Sequence, residues 1–280
     1  MIIDAHQHFW RYDPARLDWI ATGMEELMHD WLPVDFAAAR AETGIDRTIA
    51  VQATGDEAET AFLMEQAAAE DWIAGVVGWV DLTAPNVDER IACWQQTGPL
   101  VGLRHQIEGD PARLNDPAFD TGVAAVQRRG LVYEVLVNHR QLIDAVAFCA
   151  RHDAHALVID HLAKPAITGD EAAFSSWRES MAALAAMPHV AVKISGLATE
   201  AQPAPGDAPD IDGIHRHLDA ALELFGADRL IFGSDWPVSR LAIDYGDWFA
   251  LIDAWAGAQG TDCRAKLFGA NAASIYSLDL

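Results

Sequence analysis

At 280 residues the chain is long enough for one large domain or two small ones, and 51% hydrophobic content with a mean hydropathy of +0.04 gives it ample core material. Its formal net charge of -23 argues against nucleic acid and anionic membrane surfaces as partners, because both need a basic patch and no Lys/Arg cluster is present. There is no basic-then-apolar leader, no uncharged apolar run of about 18 residues, and the three cysteines, Cys93, Cys149 and Cys263, have no metal-site spacing, so a cytoplasmic protein with reduced, buried thiols is expected.

Eight short apolar runs recur along the chain: MIIDAH (1–6), RTIAVQA (47–53), IAGVVGWV (73–80), VGLRHQI (101–107), LVYEVLV (131–137), HALVIDH (155–161), VAVKISG (190–196) and RLIFGSD (229–235). Runs of this kind, bounded by turn residues, suit strands buried on both faces of a parallel sheet. Between them lie segments with helical periodicity, such as 58–70, 140–152 and 213–225. Alternating strands and helices in this number predict a (β/α)8 barrel, one domain over 1–280. No GxGxxG follows the first strand and no GxxxxGK[ST] occurs, which weakens nucleotide-binding alternatives. Two connections exceed what a barrel needs: the Trp/Tyr-rich stretch 9–33 and the Pro/Gly-rich AQPAPGDAPD at 201–210. Both follow strands and are expected on the C-terminal face, where active-site loops sit.

Several strands end in polar groups. His6 and His8 alternate with Gln7, so they point to one side, about 7 Å apart by strand rise. His161 closes the sixth run, Asp235 closes the eighth, and Arg104, His105 and Gln106 lie near the end of the fourth. Three imidazoles and a carboxylate make a nitrogen/oxygen set suited to Zn²⁺ or a similar ion. The alternative is hydrogen-bonded strand-end groups with no shared site. Lys193, within the seventh run, is either a pocket residue or the ion-pair partner of Glu134. Lys164 is expected to shape the loop after His161.

DAHQHFW, IDHLAKP, FGSDWP and FGANAASIY, in this order, resemble the amidohydrolase superfamily from end to end. The opening DAHQHFWRYDPARLDWI is similar to its sugar-lactonase branch, the L-fuconolactonase and L-rhamnonolactonase type. The resemblance implies a distorted (β/α)8 barrel, metal-binding roles for His6, His8, His161 and Asp235, and a general-base role for Asp235. The carboxylated lysine of two-metal relatives is missing from the fourth strand. One divalent ion, zinc or similar, is therefore implied, with metal-independent activity as the alternative.

The implied reaction is hydrolysis of a sugar lactone in L-fucose-type carbohydrate breakdown: L-fucono-1,5-lactone or an L-fuco, D-arabino, L-galacto or L-rhamno relative. Catalytic roles are then expected for Asp235, His161 and His105, the two histidines steadying the oxyanion. Gln52, Trp31, Trp79, Arg104 and Asn138 are candidate substrate-binding residues, with core packing the competing reading for the two tryptophans. The expected partner is a small-molecule lactone, with self-association into a homo-oligomer left open. Two other readings compete: a metal-dependent, non-oxidative decarboxylase of a small aromatic acid on the same scaffold, and a sugar-binding protein without turnover.

Overall fold

The computed structural model describes residues 1–280. Eight parallel strands run in chain order around one sheet: β1 (Ile3–Gln7), β2 (Arg47–Val51), β3 (Ile73–Gly78), β4 (Leu100–His105), β5 (Val132–Val135), β6 (Leu157–Ile159), β7 (Val190–Ile194) and β8 (Leu230–Phe232). The connections carry α1 (Pro33–Thr43), α2 (Glu57–Ala69), α3 (Val87–Thr97), α4 (Pro117–Arg128), α5 (Leu142–Arg151), α6 (Glu171–Ala185), and both α7 (Leu197–Glu200) and α8 (Ile211–Phe225) between the last two strands. After β8 come α9 (Tyr245–Ala258), α10 (Thr261–Ala265) and α11 (Asn271–Ile275). The (β/α)8 architecture read from the sequence is present. From β2 to β8 the strands are shorter at their C-terminal ends than the apolar runs, because the chain there turns into the loops that carry polar residues. No helix is long and apolar enough to cross a membrane.

The acidic composition has a local structural use. Asp56, Asp116, Asp170 and Asp210 stand at helix N-caps, each accepting from a first-turn N–H of α2, α4, α6 and α8. A carboxylate there fills an otherwise unbonded donor and favours the helix dipole.

Alternate strand residues fill the ring. Ile3, Ala5, Ile49, Val51, Val77 and Val132 pack inside it with Ala272 and Tyr276, which seal its N-terminal end. The opposite faces of the strands join the larger layer beneath the helices. The ring closes through the segment after β8: Asp235 N–H donates to the His6 carbonyl at 2.8 Å and His8 N–H to the Trp236 carbonyl at 2.7 Å. Cys149 and Cys263 are buried as expected, but Cys93 is exposed, since it lies on the outer side of α3; all three are free thiols.

Candidate active site

A β-bulge aims the first two histidines. Asp4 pairs with Thr48 but Gln7 with Ala50, so β1 spends one extra residue between them. That shift of phase lets Ile3 and Ala5 face the interior lower down while His6 and His8 face it at the rim. Asp4, on the other face, fixes the bulge by accepting from His6 N–H at 3.1 Å and Ser234 N–H at 2.9 Å. The ring-closing hydrogen bonds then hold both imidazoles against Asp235.

His161 arrives differently. His161, Leu162, Ala163 and Lys164 all have positive φ, between 43° and 60°, and Asp235 has φ 61°. For side-chain-bearing residues this region costs about 1–2 kcal/mol each, and such strain collects at functional positions. The turn is held by burial of Leu162 and Ala163, by Trp177 Nε1–H donating to the Leu162 carbonyl at 2.8 Å, and by His161 Nδ1 against Ser195 Oγ at 2.9 Å.

The four groups converge. His6 Nε2 is 3.2 Å from His8 Nε2, and Asp235 Oδ1 is 3.2 Å from His8 Nε2, 3.6 Å from His6 Nε2 and 4.0 Å from His161 Nε2. Ligands placed tetrahedrally at zinc distances would stand about 3.3 Å apart. The protonation pattern also fits a cation. His8 Nδ1–H donates to the Val51 carbonyl at 2.7 Å, so the neutral imidazole turns its Nε2 lone pair to the carboxylate oxygen of Asp235. Two acceptors in contact repel unless a proton or a metal ion lies between them. Burial, then the charge of Lys193, hold His6 well below the usual histidine range, and burial holds His161 at about 4, so both are neutral imidazoles able to coordinate. Burial pushes the Asp235 carboxyl upward, but His161, His8 and His6 outweigh it and keep it well below the usual carboxylate range. Asp160 extends the set, with His6, Asp160 and His161 forming a second grouping within ligand reach.

Beneath the imidazoles lies a buried ionic network. Lys193 Nζ donates to Glu134 Oε1 at 2.5 Å and lies 3.4 Å from Asp160 Oδ1 and 3.1 Å from His6 Nδ1. Arg104 Nη1 donates to Asp160 Oδ2 at 3.0 Å and lies 3.2 Å from His6 Nε2, while Tyr276 Oη–H donates to Glu134 at 2.6 Å. Of the two readings for Lys193, the ion pair with Glu134 is the one present.

A cavity of about 490 Å³ opens above the cluster, lined by His8, Arg104, His161 and Asp235 on its floor. Its walls include Arg16, Asp18, Trp19 and Met24 from the long first loop, Thr54, Gln106, Glu108 and Lys164, and Thr199 and Glu200 of α7. The first loop thus reaches the C-terminal face as expected, whereas the 201–210 stretch lines no part of this cavity.

Several expected residues stand elsewhere. His105 is corrected: it alternates with Arg104 along β4, so it points outward, packed between Trp79 and Phe119 at ring distances of 5.0 and 5.1 Å. Trp79 follows it there. Trp31 packs edge-on against Trp236 at 5.0 Å, and it is Trp19 that offers an aromatic face to the cavity. Asn138 accepts from Arg140 N–H at a helical turn, and Gln52 is buried behind Arg104, donating to its carbonyl at 3.1 Å. None of these five lines the cavity.

Gly196 packs against two of the converging groups. It has φ 63°, and a Cβ there would lie 2.6 Å from His161 Nδ1 and 3.1 Å from Asp235 Oδ2. Gly196→Ala is expected to lower stability by about 1–2 kcal/mol from the left-handed backbone, and turnover by at least about tenfold, because His161 has to move. Parallel melting and rate measurements check this, and unchanged turnover would contradict it.

The matches with known proteins agree with this geometry. The family model described as Amidohydrolase matches residues 3–278. An L-fucono-1,5-lactonase of Burkholderia multivorans is 47% identical, covering 99% of this chain and 96% of the relative, and one of Burkholderia ambifaria is 36% identical over the same shares. A crystal structure of an amidohydrolase from Burkholderia multivorans with bound zinc superposes with a TM-score of 0.94 at 45% identity, covering 99% of both chains. On its full-length match and the barrel it forms, the chain belongs to the amidohydrolase family.

Proposed function

We propose that this protein hydrolyses a sugar lactone, with L-fucono-1,5-lactone the foremost candidate, to the open aldonic acid. The observation that carries this reading is the convergence of His6, His8, His161 and Asp235, from three strand ends, beneath one cavity whose floor His8, His161 and Asp235 line. The substrate class follows from the lactonases that share 47% and 36% of their residues with it over nearly the whole chain. Its size suits a small ring bearing hydroxyls, with Trp19, Met24 and Val238 offering apolar contact.

His6, His8, His161 and Asp235 Oδ1 would hold one divalent ion, which we assign as zinc. When bound, it supplies Lewis-acid polarisation of the carbonyl and a more acidic water. The protein's own part is acid–base chemistry. Asp235 Oδ2, the oxygen turned away from the imidazoles, takes the proton from the attacking water as that oxygen bonds to the lactone carbonyl carbon. When the tetrahedral adduct collapses, the bond from that carbon to the ring oxygen breaks, and Asp235 returns the proton to the departing alcohol. The new carboxylic acid then ionises. Arg104 at the floor and Trp19 on the wall would orient the ring.

A decarboxylase of aromatic acids fits less well. Such a substrate brings a carboxylate, yet the cationic side chains on the cavity wall already carry carboxylate partners: Arg16 with Asp56, Arg104 with Asp160 and Lys164 with Glu108. Solved decarboxylases of this kind share 14% to 16% identity, a likeness of fold alone. An indicator assay with aldonolactones and aryl carboxylic acids, with and without a chelator, is expected to show acid release from the lactones only. The chelator is expected to slow it at least about tenfold, with recovery on adding zinc. Release of CO₂ from an aryl acid, with inert lactones, would overturn the reading.

A further inference from the structure

Glu200 is a cavity-wall residue with no place in the chemistry above. It ends α7, four residues past Gly196, which touches His161 and Asp235. It is only partly exposed, and its neighbours Lys164, Glu108 and Asp235 act on it by charge, with no hydrogen bond to its carboxylate. The one nearby cation, Lys164, already donates to Glu108 at 2.6 Å. A half-buried carboxylate with unfilled lone pairs is an acceptor in want of donors. The hydroxyls of a sugar ring are donors; a carboxylate on the ring is not.

We propose that Glu200 is a specificity-determining residue: it accepts from a ring hydroxyl of an uncharged lactone and repels lactones that carry a carboxylate. This rests on the lactonase reading and deepens it. Asp18, on the same cavity wall, adds to the negative field. The same field acts on the product, since ring opening turns a neutral molecule into an anion. The cavity therefore binds the substrate in preference to the product and favours release.

The test compares L-fucono-1,5-lactone with D-glucaro-1,4-lactone, which bears a carboxylate, on wild type and Glu200→Gln. Glu200→Gln keeps an acceptor oxygen and turns a hydrogen bond to a charged acceptor into a neutral one, which corresponds to about a threefold to thirtyfold change. For the neutral lactone the variant should show that change in KM, with kcat little altered. For the glucarolactone kcat/KM should hold or rise, and binding of L-fuconate, measured by calorimetry, should tighten. A loss of equal size on both substrates, or no change on either, overturns the proposal. Asp18→Asn, at an exposed site, provides a second variant: it should shift the ratio of the two substrates in the same direction, and an unchanged ratio counts against the charge argument. Wild type that hydrolyses both lactones equally sinks the proposal alone, whereas wild type that hydrolyses neither sinks the lactonase reading with it.

Discussion

Asp235→Asn is expected to lower kcat for the lactone by about 10³-fold, within the range general acid–base groups contribute, while leaving the barrel folded. The stability half of this expectation comes from two observations. Asp235 has φ 61°, a conformation asparagine tolerates far better than most residues. Its Oδ1 lies 3.2 Å from His8 Nε2, and His8 Nδ1–H is committed to Val51. An amide N–H in place of that oxygen can donate to the neutral His8 Nε2, so the contact is kept. The activity half follows from the loss of a proton-accepting oxygen beside the attacking water. Melting curves and rates measured on the same preparation check both. Retention of activity within tenfold of wild type would remove Asp235 from the role of base. A collapse of the melting curve would mean that it acts in folding.

The second large effect is on stability. Lys193 is fully buried and serves two buried carboxylates, Glu134 at 2.5 Å and Asp160 at 3.4 Å. Removing one partner of a buried ion pair leaves an uncompensated charge and typically costs about 3–5 kcal/mol. That is a large share of the roughly 5–15 kcal/mol by which a domain is stable. Lys193→Met keeps the length of the stem and removes the charge, so urea unfolding should show a loss of that size. Lys193→Met/Glu134→Gln removes the charge on both sides and should recover a good part of it, since Tyr276 can still donate to the amide oxygen at position 134. A single-variant loss below about 1 kcal/mol would show that the network does not hold the barrel floor together.

The barrel was legible because its strands are buried on both faces and read as unbroken apolar runs. Most of the cluster was legible too. His6, His8, His161 and Asp235 are polar residues set where apolar runs stop, and a rim is where such residues are used. His105 was misplaced for a reason the sequence already contained: it is adjacent to Arg104 on a strand, and two neighbours cannot both face inward. Glu134 and Lys193 also carried a signal, as charges in the middle of runs that should be apolar, and alternation would have placed both inside the ring. Trp19 and Trp31 could not be told apart, because a loop has no period and both lie in the same aromatic stretch. Glu200 was silent for the same cause: a short turn of helix after a strand gives no pattern from which to read where its side chain points. Asp160 is adjacent to His161, yet the left-handed turn between 161 and 164 brings both to His6, and nothing in the sequence marks that turn.

The most direct trial of the central claim is hydrolysis of L-fucono-1,5-lactone in ¹⁸O-labelled water, followed by mass spectrometry and compared with the spontaneous reaction. Water attacking the carbonyl, with Asp235 moving the proton, predicts enzyme-dependent opening with one label in the new carboxylate and none in the hydroxyl released from the ring. Label in that hydroxyl, or opening no faster than in buffer alone, would contradict it.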